Sequence, residues 1–461
     1  MPAPGALHGA DLRPPTTRAR RLFAGARSVV ARHPAWAVAV FGLVCALVAW
    51  FRLPAIARDT LWAEDGRTFL QAASDHGLMN TLFQPYAGYL HVVPRILAGV
   101  VAPLPVDWWA LGMTAGSCLV AGFLAAVVLV CTRDVVPWMP ARVLIASLTV
   151  LAPLAPREVL GNAANVHSLF LWALIWMLLH SPRTRRGAIA LGAIALFAAL
   201  TEIQSLLLLP LLLIRPRQPL RWIVRGGLLL GLTGQVLVTL IFPRGHTGNP
   251  PVPPLSMLYG YLINAVTPLG VPQHSIGPVI ASSGPTVALV ILVCLTPAVV
   301  YALVRGQALQ RYAVITLVAG SLVFFVVDIA TNPNTFYDYA TMTHDQLSTV
   351  WLVRYGVVPS MMLAATVPIA AAIAWERRRE RHGEHGRSLQ KAVAVSSCLL
   401  LAVLLLVQFG PQQTRRSWGP AWQPQLAAAR LECSRNPELG SVVLRETINW
   451  HVVVSCTRLG R

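Results

Sequence analysis

The chain has 461 residues, of which 55% are hydrophobic and only 12% are charged, about half the charged share of an ordinary soluble protein. Apolar runs recur from residue 35 to residue 409, which predicts an all-α polytopic membrane protein, because a bilayer tolerates only segments that satisfy their own backbone hydrogen bonds. The net charge is +19, and the basic residues cluster in short loops between the apolar runs. This pattern indicates membrane topology and argues against nucleic acid as a partner.

The N-terminal residues 1–34 are polar and rich in Pro and Arg, with no signal-peptide cleavage site after the first apolar run. We expect a disordered basic tail in the cytoplasm, followed by a transmembrane domain over 35–409. Keeping the arginine-rich loops inside predicts about eleven transmembrane helices, with the N-terminus in the cytoplasm and the C-terminus outside the cytoplasmic (plasma) membrane. The predicted spans are 35–52, 107–131, 142–155, 165–180, 188–201, 204–214, 222–242, 285–304, 312–330, 353–375 and 392–409.

Two stretches test this topology. The apolar stretch 187–214 is too long for one perpendicular helix and too short for two full spans, and basic loops flank it on both sides. It is therefore expected to form two short helices that turn near Glu202. The stretch 86–105 has the length of a span, but counting it as one would put three arginine clusters outside. We interpret it as an amphipathic interfacial or re-entrant helix in the first outer loop.

Polar residues concentrate on the predicted outer face, in a long first loop and in the turns between spans. Acids, His and Asn at membrane boundaries are costly and usually face a cavity or pathway. The sequence therefore predicts a cavity open to the outer leaflet. The candidate residues are Glu64, Asp65, Tyr89, His91, Arg95, Glu158, Asn162, Glu202 and Arg354.

The last segment, 410–461, is expected to be a small extracytoplasmic tail with a short helix at 421–432 and two strand-like runs, "SVVLR" and "HVVVSC". It contains Cys433 and Cys456. In an oxidising compartment these two cysteines would form a disulfide that stabilises the tail.

The chain resembles the GT-C superfamily of integral-membrane glycosyltransferases over about 35–410. The pieces that carry the resemblance are "WAEDGRTF" (62–69), "GYLHVVPR" (88–95), "REVLGNAANVH" (157–167), "LTEIQS" (200–205) and "RYGVVP" (354–359). The resemblance implies an inverting enzyme that takes a sugar from a polyprenyl-phosphate donor. The acceptor would be a glycan, lipid or protein at the outer leaflet, with membrane lipids around the enzyme.

An acid after the first helix is the catalytic base in that superfamily, so the resemblance assigns this role to Asp65 or Glu64 and leaves open which of them acts. Such a base takes the proton of the acceptor hydroxyl while the lipid phosphate leaves. The structural alternative is that both acids stabilise the start of a helix through its dipole.

The remaining candidates also have two interpretations. Arg95, His91 and Arg354 could clamp the donor phosphate or snorkel at the interface. Glu158 and Asn162 could bind sugar hydroxyls or cap their turn. Glu202 lies inside a long apolar stretch and needs a partner, which could be substrate or a nearby Arg.

No metal-ligand spacing of His and Cys occurs in the sequence, so no structural metal is expected. A divalent cation held by the acids and the donor phosphate stays possible. Two other functions stay open. A lipid or solute transporter or flippase would show repeats related by symmetry, and a non-catalytic membrane assembly protein would use the acids only as helix caps.

Overall fold

The computed structural model describes residues 34–245, 248–377 and 384–460. The expected N-terminal tail, 1–34, lies outside the described residues except for Pro34. The described chain is mostly helical. Its first half contains α1 (Pro34–Phe51), α2 (Ala55–Arg58), α3 (Gln71–His76), α4 (Leu78–Thr81), α5 (Val92–Val101), α6 (Trp109–Cys131), α7 (Met139–Leu151), α8 (Ala155–Glu158), α9 (His167–Leu179), α10 (Arg185–Ala199) and α11 (Pro219–Ile241).

The second half continues with further helices and ends in two strands. These elements are α12 (Pro254–Tyr261), α13 (Gln273–Ser283), α14 (Thr286–Arg305), α15 (Ala308–Thr331), α16 (His344–Ser348), α17 (Val357–Arg377), α18 (Glu384–Val407), α19 (Trp422–Arg435), β1 (Ser441–Arg445) and β2 (His451–Ser455). A π-helical turn forms Asp65–Leu70, and a 3₁₀ helix forms Ile203–Leu213.

Seven helices of the described chain are long and apolar enough to cross a membrane, so the protein is membrane-embedded. They comprise 106–134, 139–158, 219–241, 286–305, 308–331, 354–376 and 389–407. Each of the other four predicted spans contains a helix that is shorter, namely α1, α9, α10 and the 3₁₀ helix. The 13 residues of α9 extend about 20 Å, against about 30 Å for the hydrocarbon core.

The stretch 187–214 is broken where the sequence suggested a turn. Helix α10 ends at Ala199, and the carboxylate of Glu202 caps the following 3₁₀ helix by accepting a hydrogen bond from the Gln204 N–H. Pro210 lies inside that second helix and has no N–H to donate to an α-helical ladder. The other ambiguous stretch, 86–105, contains only the ten residues of α5, about 15 Å of helix, which is too short to span.

The central helix of the bundle is α17, which contacts α14, α15 and α18 and is buried along most of its length. Asn264 fixes the chain just before it. The side chain of Asn264 accepts a hydrogen bond from the Val353 N–H at 2.8 Å, and its backbone lies so close to Gly356 that a Cβ there would clash. Arg354 is thereby held at the N-terminal end of the central helix.

The C-terminal lobe, residues 410–460, contains α19 and the antiparallel pair β1–β2, and Cys433 and Cys456 form a disulfide. Alternate residues of both strands are buried. They share one hydrophobic core with the first loop, residues 52–106. Trp422 illustrates the contact, because its backbone N–H donates to Asp59 O at 2.6 Å and its indole N–H donates to Val106 O at 2.8 Å. The lobe is therefore docked on the segment that contains the acidic pair.

Candidate functional site

A cavity of about 690 Å³ lies at one end of the helix bundle. Helices α9 and α17 and the 3₁₀ helix begin there, and α11 and α15 end there. We call it the polar cavity. Five of the residues proposed from the sequence line it: Glu64, Tyr89, His91, Glu202 and Arg354. Polar groups far apart in the chain therefore meet at one place.

The two adjacent acids have different environments. Glu64 lines the polar cavity, and no donor among the described residues lies within hydrogen-bonding distance of its buried Oε2. Asp65 is 1% exposed, and its two carboxylate oxygens accept hydrogen bonds from the backbone N–H groups of Ala163 and Ala164 at 2.8 and 2.7 Å. The carboxylate of Asp65 is thus occupied in fixing the turn before α9, whereas Glu64 has an oxygen without a protein partner.

Burial raises the pKa of Asp65 to about 7, although the two backbone hydrogen bonds and the Arg416 guanidinium favour the ionised form. Arg416 is itself buried, and it donates hydrogen bonds to Thr114 Oγ1 at 3.1 Å and to Leu160 O at 3.3 Å. This arginine belongs to the C-terminal lobe. The lobe therefore supplies a positive charge close to the acidic pair.

Glu202 has a partner inside the polar cavity. One carboxylate oxygen is hydrogen-bonded to His167 Nδ1, and the other accepts the Gln204 N–H at 2.8 Å. The side-chain amide of Gln204 in turn donates to the carboxylate of Asp328. His167 and Asp328 both line the cavity, so the acids Glu202 and Asp328 form a connected group with a histidine.

Arg354 lines the cavity and is held from behind by Glu158. The Arg354 Nη1 donates to Glu158 Oε2 at 3.2 Å, while Arg415 donates from its Nε to Oε1 of the same carboxylate at 2.6 Å. No acceptor among the described residues lies within hydrogen-bonding distance of the buried Arg354 Nε. The ion pair with Glu158 fixes the guanidinium of Arg354, and the Nε–H of Arg354 has no acceptor among the described residues.

Besides Asp65, three other proposed residues, Glu158, Asn162 and Arg95, do not line the cavity. Both oxygens of Glu158 are taken by arginines. Asn162 donates to the Glu158 carbonyl and accepts the Asn165 N–H at 2.9 Å, so it shapes the turn. The guanidinium of Arg95 packs 5.4 Å from the Phe69 ring, because α5 turns that face inward.

The first loop contributes an aromatic wall. His91 stacks on Tyr89 with ring centroids 4.1 Å apart and also contacts Phe69 and Tyr86. Burial lowers the pKa of His91 to about 3, so its imidazole is neutral at physiological pH. His91 can therefore offer a hydrogen bond to a ligand but no positive charge, whereas Arg354 and Arg244 line the same cavity.

Several cavity residues were not among the site residues proposed from the sequence: His167, Arg244, Asp328 and Tyr355. Asp328 had a usable signal, because it is the one acid within the 24 residues of the largely apolar helix α15. Arg244 follows α11 and reaches the cavity by donating to Asn332 Oδ1 at 2.6 Å. Its position depends on the packing of two distant loops.

A second cavity, of about 400 Å³, lies between the 3₁₀ helix and α15. The same two elements line part of the polar cavity. Ile203–Leu207 and Val327–Pro333 line the polar cavity, whereas Pro210–Arg215 and Ala308–Thr316 contribute the lining of the second. Both cavities therefore lie along the gap between the 3₁₀ helix and α15. Leu211, Leu213, Ile214 and Ile315 make the second one largely apolar.

Among the described residues, no group of three or more His, Cys, Asp or Glu side chains is arranged to hold a metal ion. Comparison of the chain with known proteins finds no match: no protein-family model matches it, and no curated protein matches it.

Proposed function

We propose that the protein is a membrane glycosyltransferase that transfers a sugar from a polyprenyl-phosphate donor to a glycan, lipid or protein acceptor. The observation that supports this most strongly is the pairing of the two cavities. A polar cavity, with an unpartnered carboxylate oxygen on Glu64, and a largely apolar cavity lie along the same helix gap. A substrate with a polar head and a long apolar chain fits such a pair.

In this proposal Glu64 is the general base. Its Oε2 accepts the proton of the acceptor hydroxyl as that oxygen attacks the anomeric carbon of the donor sugar. The bond from the anomeric carbon to the phosphate oxygen breaks, and its electron pair leaves with the polyprenyl phosphate. Asp65 has both oxygens engaged by backbone N–H groups, so we assign it the role of placing the turn beside Glu64.

Arg354 is the candidate for binding the donor phosphate, because its guanidinium is fixed by Glu158 and has an unused Nε. Arg244 lies on another wall of the same cavity and is a second candidate. The apolar chain of the donor would lie in the gap between the 3₁₀ helix and α15. A divalent cation between Glu64 and the donor phosphate is compatible with this arrangement, and chelation during the transfer assay tests for it.

The proposed membrane arrangement keeps the arginine-rich loops in the cytoplasm. If the short helices are included, about eleven helices cross or enter the membrane. With this number, the polar cavity and the C-terminal lobe lie on the extracytoplasmic side of the cytoplasmic membrane. The four shorter helices fit this arrangement because three of them, α9, α10 and the 3₁₀ helix, are neighbours in the bundle, and short helices are tolerated where they pack in protein or line a cavity.

The test is transfer of labelled sugar from a panel of polyprenyl-phosphate monosaccharides by the purified chain. Glu64→Gln should lower the transfer rate by about 10²–10⁴-fold, the usual contribution of a general base, while the variant stays folded. The matched control is Asp75→Asn, an exposed acid of the same loop, which should leave transfer unchanged. A folded Glu64→Gln variant with normal transfer would refute the assignment of the base.

A further inference from the structure

The C-terminal lobe contains a cavity of about 500 Å³ that the proposed transfer reaction does not use. Its lining includes two tryptophans, Trp418 and Trp450, and the polar residues Arg445, Asn449 and His451. We call it the lobe cavity. It has the size of a small-ligand site, and its lining combines flat aromatic surface with hydrogen-bonding groups.

Trp418 is 82% exposed, more than any other large hydrophobic side chain of the described residues. An exposed indole offers a flat apolar face and one N–H donor to a ligand or partner. Beside it, the chain offers hydrogen-bonding groups without competing protein partners. Within the described residues, the guanidinium of Arg445 and the imidazole of His451 take part in no side-chain hydrogen bond or ion pair, and both residues are exposed.

The charge of the lobe cavity argues against a cationic ligand. Arg445 lines it, and the Arg67 guanidinium lies 5.7 Å from the Trp450 ring. The one acid in its wall, Glu446, is 2% exposed and turns its carboxyl group toward Gly66. Burial raises the pKa of Glu446 to about 9, so this carboxyl group carries no charge at neutral pH. The aromatic faces are therefore not paired with an anion that would attract an ammonium group.

A ligand that presents a flat apolar face together with hydroxyl groups matches these features. A sugar ring has both, since its C–H face can stack on an indole while its hydroxyls bind planar donors such as Arg, Asn and His. We propose that the lobe cavity binds a sugar ring of a glycan. The docking of Trp418 against a ring would explain why this side chain is left open.

The position of the lobe cavity connects it with the proposed reaction. Glu446 in its wall contacts Gly66, and Glu64 and Phe69 of the same short segment line the polar cavity. One helical segment, about 10 Å thick, therefore separates the two cavities. Resting on the proposed function, we infer that the bound ring belongs to the acceptor glycan, one or more sugar units away from the hydroxyl that reacts at Glu64.

The experiment is isothermal titration of the purified full chain in detergent with tetrasaccharides of glucose, mannose, galactose or arabinose and with a uronic acid tetramer. We expect saturable binding of at least one of them. Trp418→Ala should weaken it at least about tenfold, a change of about 1.4 kcal/mol. The matched control is Trp108→Ala, a tryptophan that is 54% exposed and lies outside the lobe cavity.

Glu64→Gln separates this inference from the proposed function. If the variant loses transfer but binds the tetrasaccharide normally, both proposals stand. If neither the wild type nor the variant transfers sugar, but binding depends on Trp418, the assignment of the lobe cavity stands and the proposed function falls. Absence of saturable binding up to about 10 mM, equal binding by Trp418→Ala, or binding of tetramethylammonium in place of sugar overturns the glycan assignment.

Discussion

The carboxyl group of Glu446 occupies the space that a side chain on Gly66 would need. Its Oε1 lies 1.6 Å from the position of a Cβ built on Gly66. A side chain on the residue that follows the Glu64–Asp65 pair would therefore displace the Glu446 carboxyl group, which glycine avoids. Through this contact, the Glu446 carboxyl group of the C-terminal lobe packs beneath the Glu64–Asp65 pair.

Gly66→Ala should destabilise the protein by about 1–3 kcal/mol, the range for overpacking a well-filled site. Glu446→Ala in the same chain should recover part of that loss, because it removes the atoms that the new methyl group meets. Thermal unfolding of the two single variants and the double variant measures the coupling. Gly226→Ala is the control, since a Cβ there meets nothing within 4 Å; an equal loss in that variant would contradict the explanation.

The raised pKa of Glu446 predicts a pH dependence of stability. Its carboxyl group has a pKa of about 9 in the folded chain, against an ordinary value of 4.5. Between these values the folded state holds a proton that the unfolded state has released, so stability falls as pH rises, by up to about 1.4 kcal/mol per pH unit.

Glu446→Gln should flatten this dependence, because an amide does not titrate. The measurement is the thermal unfolding midpoint of the wild type and of Glu446→Gln at pH values from about 5 to about 9. Parallel curves for the two proteins would show that Glu446 does not carry the effect. Asp65, whose pKa is also raised, should leave a smaller residual slope in the variant.

Glu158→Gln should cost about 3–5 kcal/mol, because it removes the buried anion between Arg354 and Arg415. The two guanidinium groups would then lie close together without a counter-charge. Chemical or thermal unfolding measures the loss. Glu432→Gln, which changes an exposed acid on α19, should stay within about 0.5 kcal/mol, and a similar effect in both variants would argue against the ion-pair explanation.

Replacing both Cys433 and Cys456 by Ser should reduce stability by about 3 kcal/mol in the chain-entropy model, given their separation of 23 residues. We expect faster proteolysis of the C-terminal lobe in that variant and in reduced wild type. Cys294 is an exposed free cysteine in α14, outside the lobe; Cys294→Ser should therefore not reproduce the proteolysis. A lobe that resists protease equally well without the disulfide would contradict this prediction.

The gathering of polar residues could be anticipated from the sequence because such residues are rare in an apolar chain. Glu64, Tyr89, His91, Glu202 and Arg354 were proposed from their places in the first loop and in the turns between apolar runs on the predicted outer face, and all five line one cavity. Their assignment as binding or catalytic residues remains a prediction. The rule behind it is physical, since a charge at a membrane boundary needs a polar environment.

The distinction between Glu64 and Asp65 could not be predicted from the sequence. It depends on the backbone N–H groups of Ala163 and Ala164, about a hundred residues away, which meet Asp65 and leave Glu64 free. The inward position of Arg95 could not be predicted for a related reason. A ten-residue amphipathic helix can turn either face inward, and the packing against Phe69 decides which.

The span count shows the limit of charge-based topology. Arginine placement predicts about eleven spans, whereas seven described helices have the required length and apolarity. The stretch 187–214 shows why: Glu202 caps the start of the 3₁₀ helix, and Pro210 inside that helix has no N–H for an α-helical ladder. The helix and the two strands of the tail were expected from the sequence. Their apolar residues do not indicate, however, that these elements pack against the first loop.

The shared core of the first loop and the C-terminal lobe has a consequence for biosynthesis. Arg416 and Glu446, which surround the Glu64–Asp65 segment, follow α18 in the chain, so the ribosome adds them only after the last helix of the bundle. A nascent chain with α18 already inserted still lacks that support. We therefore expect the site to mature only after the C-terminal lobe has been synthesised, so that chains truncated before Arg416 would reach the membrane without becoming competent.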